Sequence, residues 1–99
     1  MSRAFVNEDA ELPQPRLDFG LPPRGDRSYD AAAALVLLEG ARDGHMASAE
    51  EATGYRWGDP HLHKHVERLL EKEQDKPEHE QDRRFMQMAR RYLRFNPDE

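Results

Sequence analysis

Four stretches of this chain repeat apolar residues at helical spacing, and no stretch alternates them convincingly at the two-residue spacing of a strand. The first, Ser28 to Ala41, runs through four alanines into Leu35, Val36, Leu37 and Leu38. It is apolar on most sides, which predicts the most buried helix of a domain. Ser28 and Asp30 suit its start, and Asp43-Gly44 suits its stop. The second stretch, SAEEATGY from Ser48 to Tyr55, opens on a serine with Glu51 three residues later. That spacing predicts a capping box, with Gly54 closing a short helix. The third begins at Asp59-Pro60, a side-chain acceptor followed by a proline suited to a first turn. Leu62, Val66, Leu69 and Leu70 then form an apolar stripe, and Asp75-Lys76-Pro77 ends it after Gln74. The fourth is predicted from Glu78 to Phe95. Phe85, Met88, Ala89, Tyr92 and Leu93 share one face, with Met86 and Phe95 at its edges. Arg83, Arg84, Arg90, Arg91 and Arg94 fall on the opposite face with Gln87.

Residues 1–27 show no such period. They hold Pro13, Pro15, Pro22 and Pro23, together with Gly20 and Gly25. Proline removes a backbone donor and biases the preceding residue away from helix, which predicts an extended or disordered arm. Phe5, Val6, Leu17, Phe19 and Leu21 make that arm more apolar than a spacer needs, as expected of a segment that orders on a partner. The pattern as a whole predicts an all-α chain: an arm over 1–27, then a small four-helix domain over 28–99.

Composition narrows the class. The chain has 99 residues, 36% of them hydrophobic and 35% charged, and no cysteine. One small domain is the expectation, without disulfides or thiolate metal sites. No apolar run is long enough to span a membrane, and the acidic start MSRAFVNEDAE does not read as a signal peptide, so the expected location is cytoplasmic. The formal net charge of −5 argues against a strongly cationic nucleic-acid binder. The charge is uneven, however, and the last helix gathers arginine.

The run GDPHLHKHVERLL concentrates the histidines. On a helix His61 and His65 share a flank, four residues apart, while His63 points elsewhere. A two-histidine pair lacks the further ligands that a metal site needs, so no metal and no cofactor are expected. His61, His65, Arg68 and Lys72 also form a basic arc beside the apolar stripe. That arc suits phosphate contacts, or ordinary surface pairing of Lys64, Arg68 and Lys72 with Glu67 and Glu71. Two of the three serines, Ser28 and Ser48, read as helix caps. No glycine-rich phosphate loop follows a strand, so an enzyme is not expected.

Two stretches resemble known families. LVLLEGARDGHMASAEEATGYRWGDPHLHKHVERLL resembles the three-helix core of winged-helix and related transcription regulators. That resemblance implies a buried first helix, a second that props the third, and a third that reads the major groove. The linker from Gly54 to Asp59 is longer than the turn of that motif. The opening Ser2-Arg3-Ala4-Phe5-Val6-Asn7-Glu8-Asp9 is similar to the N-terminal tail of some bacterial Gre-type elongation factor relatives, with Asn7 in place of a basic residue. The proline-rich LPQPRLDFGLPPRGDRSYD continues in the same manner. The long coiled coil and C-terminal domain of that family have no counterpart in these 99 residues. The resemblance therefore implies a shared docking tail in the company of the transcription machinery, and no catalytic residue is carried over.

The expected function is a small non-enzymatic interaction module docking on a protein partner such as RNA polymerase. A helix-turn-helix-like nucleic-acid-binding regulator is the alternative. The expected contact residues are Phe5, Tyr55, Arg56, Trp57, His61, His65, Arg68, Arg83, Arg84, Arg90, Arg91 and Arg94. Surplus apolar surface on the last helix also allows a homodimer.

Overall fold

The computed structural model describes residues 19–96, and the expectations for Phe5 and the rest of 1–18 lie outside them. Four α-helices form, with no strand among the described residues: α1 Tyr29–Asp43, α2 Met46–Thr53, α3 His63–Gln74 and α4 Arg83–Arg94. Single 3-10 turns precede α3 (Pro60–Leu62) and α4 (Glu78–Glu80). No helix among the described residues is long and apolar enough to cross a membrane.

The alanine-rich α1 is the centre. Ala33, Ala34, Leu37 and Leu38 are fully buried, and α2, α3 and α4 all pack on α1. Small side chains let neighbours approach, and at Gly40 the approach is closest. A Cβ built there would lie 2.7 Å from Ala49 Cβ and 3.2 Å from the His45 carbonyl oxygen. Helix α1 ends where Gly44 turns left-handed (φ 84°), its N–H donating to the Gly40 carbonyl. Leu62 and Val66 from the third segment complete the core, with Phe85, Met88, Ala89 and Tyr92 from α4.

The starts of the helices depart from the sequence expectation. At the N-cap of α1, the Ser28 hydroxyl accepts no helix N–H. Both its N–H and its hydroxyl donate to Asp26 Oδ1, at 2.8 and 2.7 Å. Helix α2 starts at Met46, so Ser48 sits inside the first turn and the expected capping box is not formed. The last helix does not begin at Glu78. The chain turns extended at Gln81 and Asp82, and Asp82 Oδ1 accepts the Phe85 N–H at 2.9 Å to cap α4. Asp82 Oδ2 also takes Arg42 Nη1 at 2.8 Å, and the Asp82 N–H donates to the buried Glu73 carboxylate at 2.8 Å. One aspartate thus joins α1, α3 and α4.

Two apolar assignments also shift. Met86, expected at an edge, is buried, while Phe95 stays 44% exposed. The apolar surplus of α4 is therefore covered within the chain except at Phe95. Residues 19–27, which the proline count assigns to the arm, run over the domain, where Phe19 and Leu21 pack partly buried against the core.

Candidate interaction surface

The apolar side of α4 locks its register, so its arginines have one way to point. Arg83, Arg84, Arg90, Arg91 and Arg94 are all exposed, with Gln87 between them. Arg83 approaches Glu78 at 3.7 Å, and Arg84 Nη2 donates to the Arg42 carbonyl at 3.2 Å. Arg90, Arg91 and Arg94 make no ion pair with any described residue. From residue 83 to 96 the chain has five arginines and no acid, whereas residues 19–82 hold eight lysines and arginines against fourteen acids. The last helix is therefore a locally basic element in an otherwise net acidic chain, which favours an acidic partner there.

The 54–60 loop is held at both ends. Gly54 and Gly58 take left-handed conformations (φ 81° and 88°). Between them the Trp57 N–H donates to Glu50 Oε2 at 2.8 Å, and the Tyr55 hydroxyl donates to Asp30 Oδ1 at 2.6 Å. The Trp57 ring meets Tyr92 edge-on, 4.9 Å between centroids. Trp57 is thus partly buried against the core, and it also lines an open hollow of about 650 Å³. Pro60, Met46 and Phe95 supply the other apolar walls, and Arg56 and Glu50 stand on the rim. The Phe95 ring lies directly over Gly58, where a Cβ would come within 2.8 Å of its Cγ.

The three histidines separate. His61 is exposed, and its Nε2 lies 2.9 Å from Asp30 Oδ2. A carboxylate only accepts, so that nitrogen carries the proton in this contact. The His61 ring also stacks on Tyr55, 5.8 Å between centroids at 16°. His63 turns inward against Tyr92, and its Nε2 is buried without a hydrogen-bond partner among the described residues. His65 is half-buried. Among the described residues no three metal-ligating side chains converge. Arg68 is exposed, and neither it, Lys64 nor Lys72 pairs with Glu67 or Glu71.

The expected site residues therefore fall into separate groups. Tyr55 and His61 meet on Asp30. Arg56 and Trp57 meet at the hollow. The five arginines share α4, and Arg68 stands apart on α3. Asp30, Glu50 and Phe95 are the partners that sequence reasoning did not assign. Asp30 looked only like a favourable first-turn acid, and no spacing rule relates position 30 to positions 55 and 61.

The Tyr55 hydroxyl holds the Asp30 carboxyl below the ordinary carboxylate range, with a smaller contribution from His61. In return the phenol of Tyr55 is pushed up to about 12 by the same bond. The Phe85 N–H, then Arg42, keep the Asp82 carboxyl low as well. A carboxyl with a folded pKa below its unfolded value adds stability that is complete above the unfolded value, near 3.9, and is lost as pH falls through the folded one. Acid should therefore weaken the domain below about pH 4. In Tyr55→Phe, Asp30 loses its main donor and should titrate at a higher pH. Carboxyl chemical shifts followed by NMR read this directly. An unchanged Asp30 titration would mean that the Tyr55 contact is not kept in solution.

Comparison with known protein families, with curated proteins and with solved structures finds no match to this chain.

Proposed function

We propose that this chain is a small non-enzymatic interaction module that docks on an acidic surface of a protein partner, with RNA polymerase as the partner to test first. The observation that carries the docking is the outward face of α4: five exposed arginines and no acid, in a chain that is otherwise net acidic. Arginine is favoured at interfaces because its planar fork donates to carboxylates in pairs and its stem covers apolar surface. The link to transcription rests on the Gre-like opening, Ser2 to Asp9.

The second reading is a nucleic-acid-binding regulator. The same arginines, with Arg68 and Lys72 on α3, would meet phosphates. The packing gives it less support. In a helix-turn-helix the second helix props the third, whereas α2 here packs chiefly on α1, and α3 packs on α1 and α4.

The test replaces Arg90, Arg91 and Arg94 together with glutamine. None of the three makes an ion pair with a described residue, so the fold should persist. Each lost charge-assisted contact is worth about 1 kcal/mol, so affinity for the partner should fall roughly 100-fold. Capture of RNA polymerase from nuclease-treated native lysate by the natural chain, and its loss with the triple variant, is the expected result. Equal capture by both chains would sink the role of α4. Capture that disappears with nuclease would shift the reading to nucleic acid.

A further inference from the structure

We propose that the hollow beside Trp57 receives an apolar side chain, aromatic or aliphatic, carried on an acidic segment of the partner protein. This rests on the docking reading above and names the chemistry that the partner must present.

The hollow has the size and walls for such a side chain. At about 650 Å³ it falls within the range of small-ligand sites. Its walls are rings and aliphatic groups from Trp57, Pro60, Met46 and Phe95. Phe95 and Leu35 are the exposed large apolar side chains among the described residues, and Phe95 is the more exposed. Water against an aromatic ring is unfavourable, so an apolar occupant that covers Phe95 is favoured.

The charges select what flanks that side chain. Two acids and one cation line the hollow. Glu50 gives one oxygen to the Trp57 N–H at 2.8 Å, and Asp59 gives one to the His61 N–H at 2.9 Å. Both carboxylates are thus anchored in holding the loop. Arg56 is exposed, and its side chain makes no hydrogen bond or ion pair with any described residue. Its guanidinium is the cation among the lining residues and is unpaired among the described residues, and a carboxylate satisfies it in paired geometry. Continuity points the same way. Phe95 directly follows Arg94, so an acidic segment lying along α4 reaches the hollow at the C-terminal end of that helix.

Trp57 is the single tryptophan of the chain and lines the hollow, so its emission responds to an occupant there. The experiment titrates the full chain with three capped peptides, EDFDE, EDSDE and KKFKK. With EDFDE the Trp57 emission should change saturably. EDSDE, lacking the ring, should bind roughly 10-fold more weakly. Arg56→Gln, at an exposed and unpartnered position, should weaken EDFDE roughly 5-fold. No saturable change, equal binding of EDSDE, or binding of KKFKK as tight as EDFDE would each overturn the assignment.

Polyglutamate separates this proposal from the reading of α4. If the chain and its Arg90, Arg91 and Arg94 triple glutamine variant bind polyglutamate equally, the α4 reading fails. If the triple variant still prefers EDFDE to EDSDE, the hollow stands without it.

Discussion

A chain with Tyr92→Ala should lose about 4 kcal/mol of stability and melt roughly 20 °C lower. Tyr92 is the largest fully buried side chain among the described residues, and it ties several elements at once. Its ring supports Trp57 edge-on at 4.9 Å and His63 at 5.8 Å. Its hydroxyl donates to the Asp59 carbonyl at 2.8 Å, so α4 holds the turn that starts the third segment. Burial and the nearby Asp59 charge push its phenol well above the ordinary tyrosine range, which keeps the donor proton in place. Truncation to alanine removes the ring contacts and leaves a cavity, and a domain this small has only about 5 kcal/mol to lose. Tyr92→Phe separates the two contributions. It keeps the ring and removes one hydrogen bond to a part-buried carbonyl that still accepts the Leu62 N–H at 3.1 Å, so it should cost only about 1 kcal/mol. Chemical denaturation followed at Trp57 measures both. A Tyr92→Phe cost equal to that of Tyr92→Ala would mean that the hydroxyl, not the packing, holds the 59–62 turn.

The all-α class and four helices were legible because each helix writes its own period. Leu62 and Val66 on one stripe, and Phe85, Met88, Ala89 and Tyr92 on another, are all buried as their spacing requires. The stops were legible for a similar reason. Gly44 and Gly54 each close a helix in the left-handed conformation that glycine adopts without strain. Starts were harder to read, because several polar residues compete to cap. Ser48 and Glu51 have capping-box spacing, yet α2 begins earlier, at Met46, beside the contact between Gly40 and Ala49. The acids at 78–82 look continuous with α4, yet Asp82 is drawn into a cap by Arg42 and Glu73, residues 40 and 9 positions away.

The candidate site divides along the same line. The arginine face was legible because it is the complement of a local apolar period. The partner of Tyr55 and His61 was not, because Asp30 reaches them across 25 and 31 positions. Pairing of that kind depends on how α1 lies against the 54–61 segment, which no local pattern records. The hollow beside Trp57 depends on the same packing. Phe95 comes to it from the end of a different helix, held by the register of α4.

Gly40→Leu should release α2 from the domain while leaving the rest folded. In an isolated helix this change stabilises by about 0.8 kcal/mol, because leucine is the better helix former. Here the sign reverses. The atoms that a Cβ would meet are Ala49 Cβ at 2.7 Å and the His45 carbonyl oxygen at 3.2 Å, both fixed by backbone rather than at the end of a flexible side chain. A whole leucine side chain at that contact costs more than about 3 kcal/mol unless α2 moves away. Helix α2 has eight residues, too few to persist without tertiary support. Its anchors beyond α1 packing include the bonds from Tyr29 to the Thr53 carbonyl and from Trp57 to Glu50. Amide exchange should therefore accelerate through Ala49–Thr53 and stay slow in α3 and α4, where Leu62, Val66 and Tyr92 keep the core. Trp57 emission should move to the red as its loop loosens. Gly40→Ala should show the same pattern at a net cost of about 1–2 kcal/mol, since one methyl is less to accommodate. Protection of α2 unchanged in Gly40→Leu would show that the close approach at Gly40 is not what seats that helix. The variant also bears on function, because it keeps the α4 arginines while displacing Met46 from the wall and Glu50 from the rim of the hollow. Binding of polyglutamate should survive in it, and the preference for EDFDE over EDSDE should vanish.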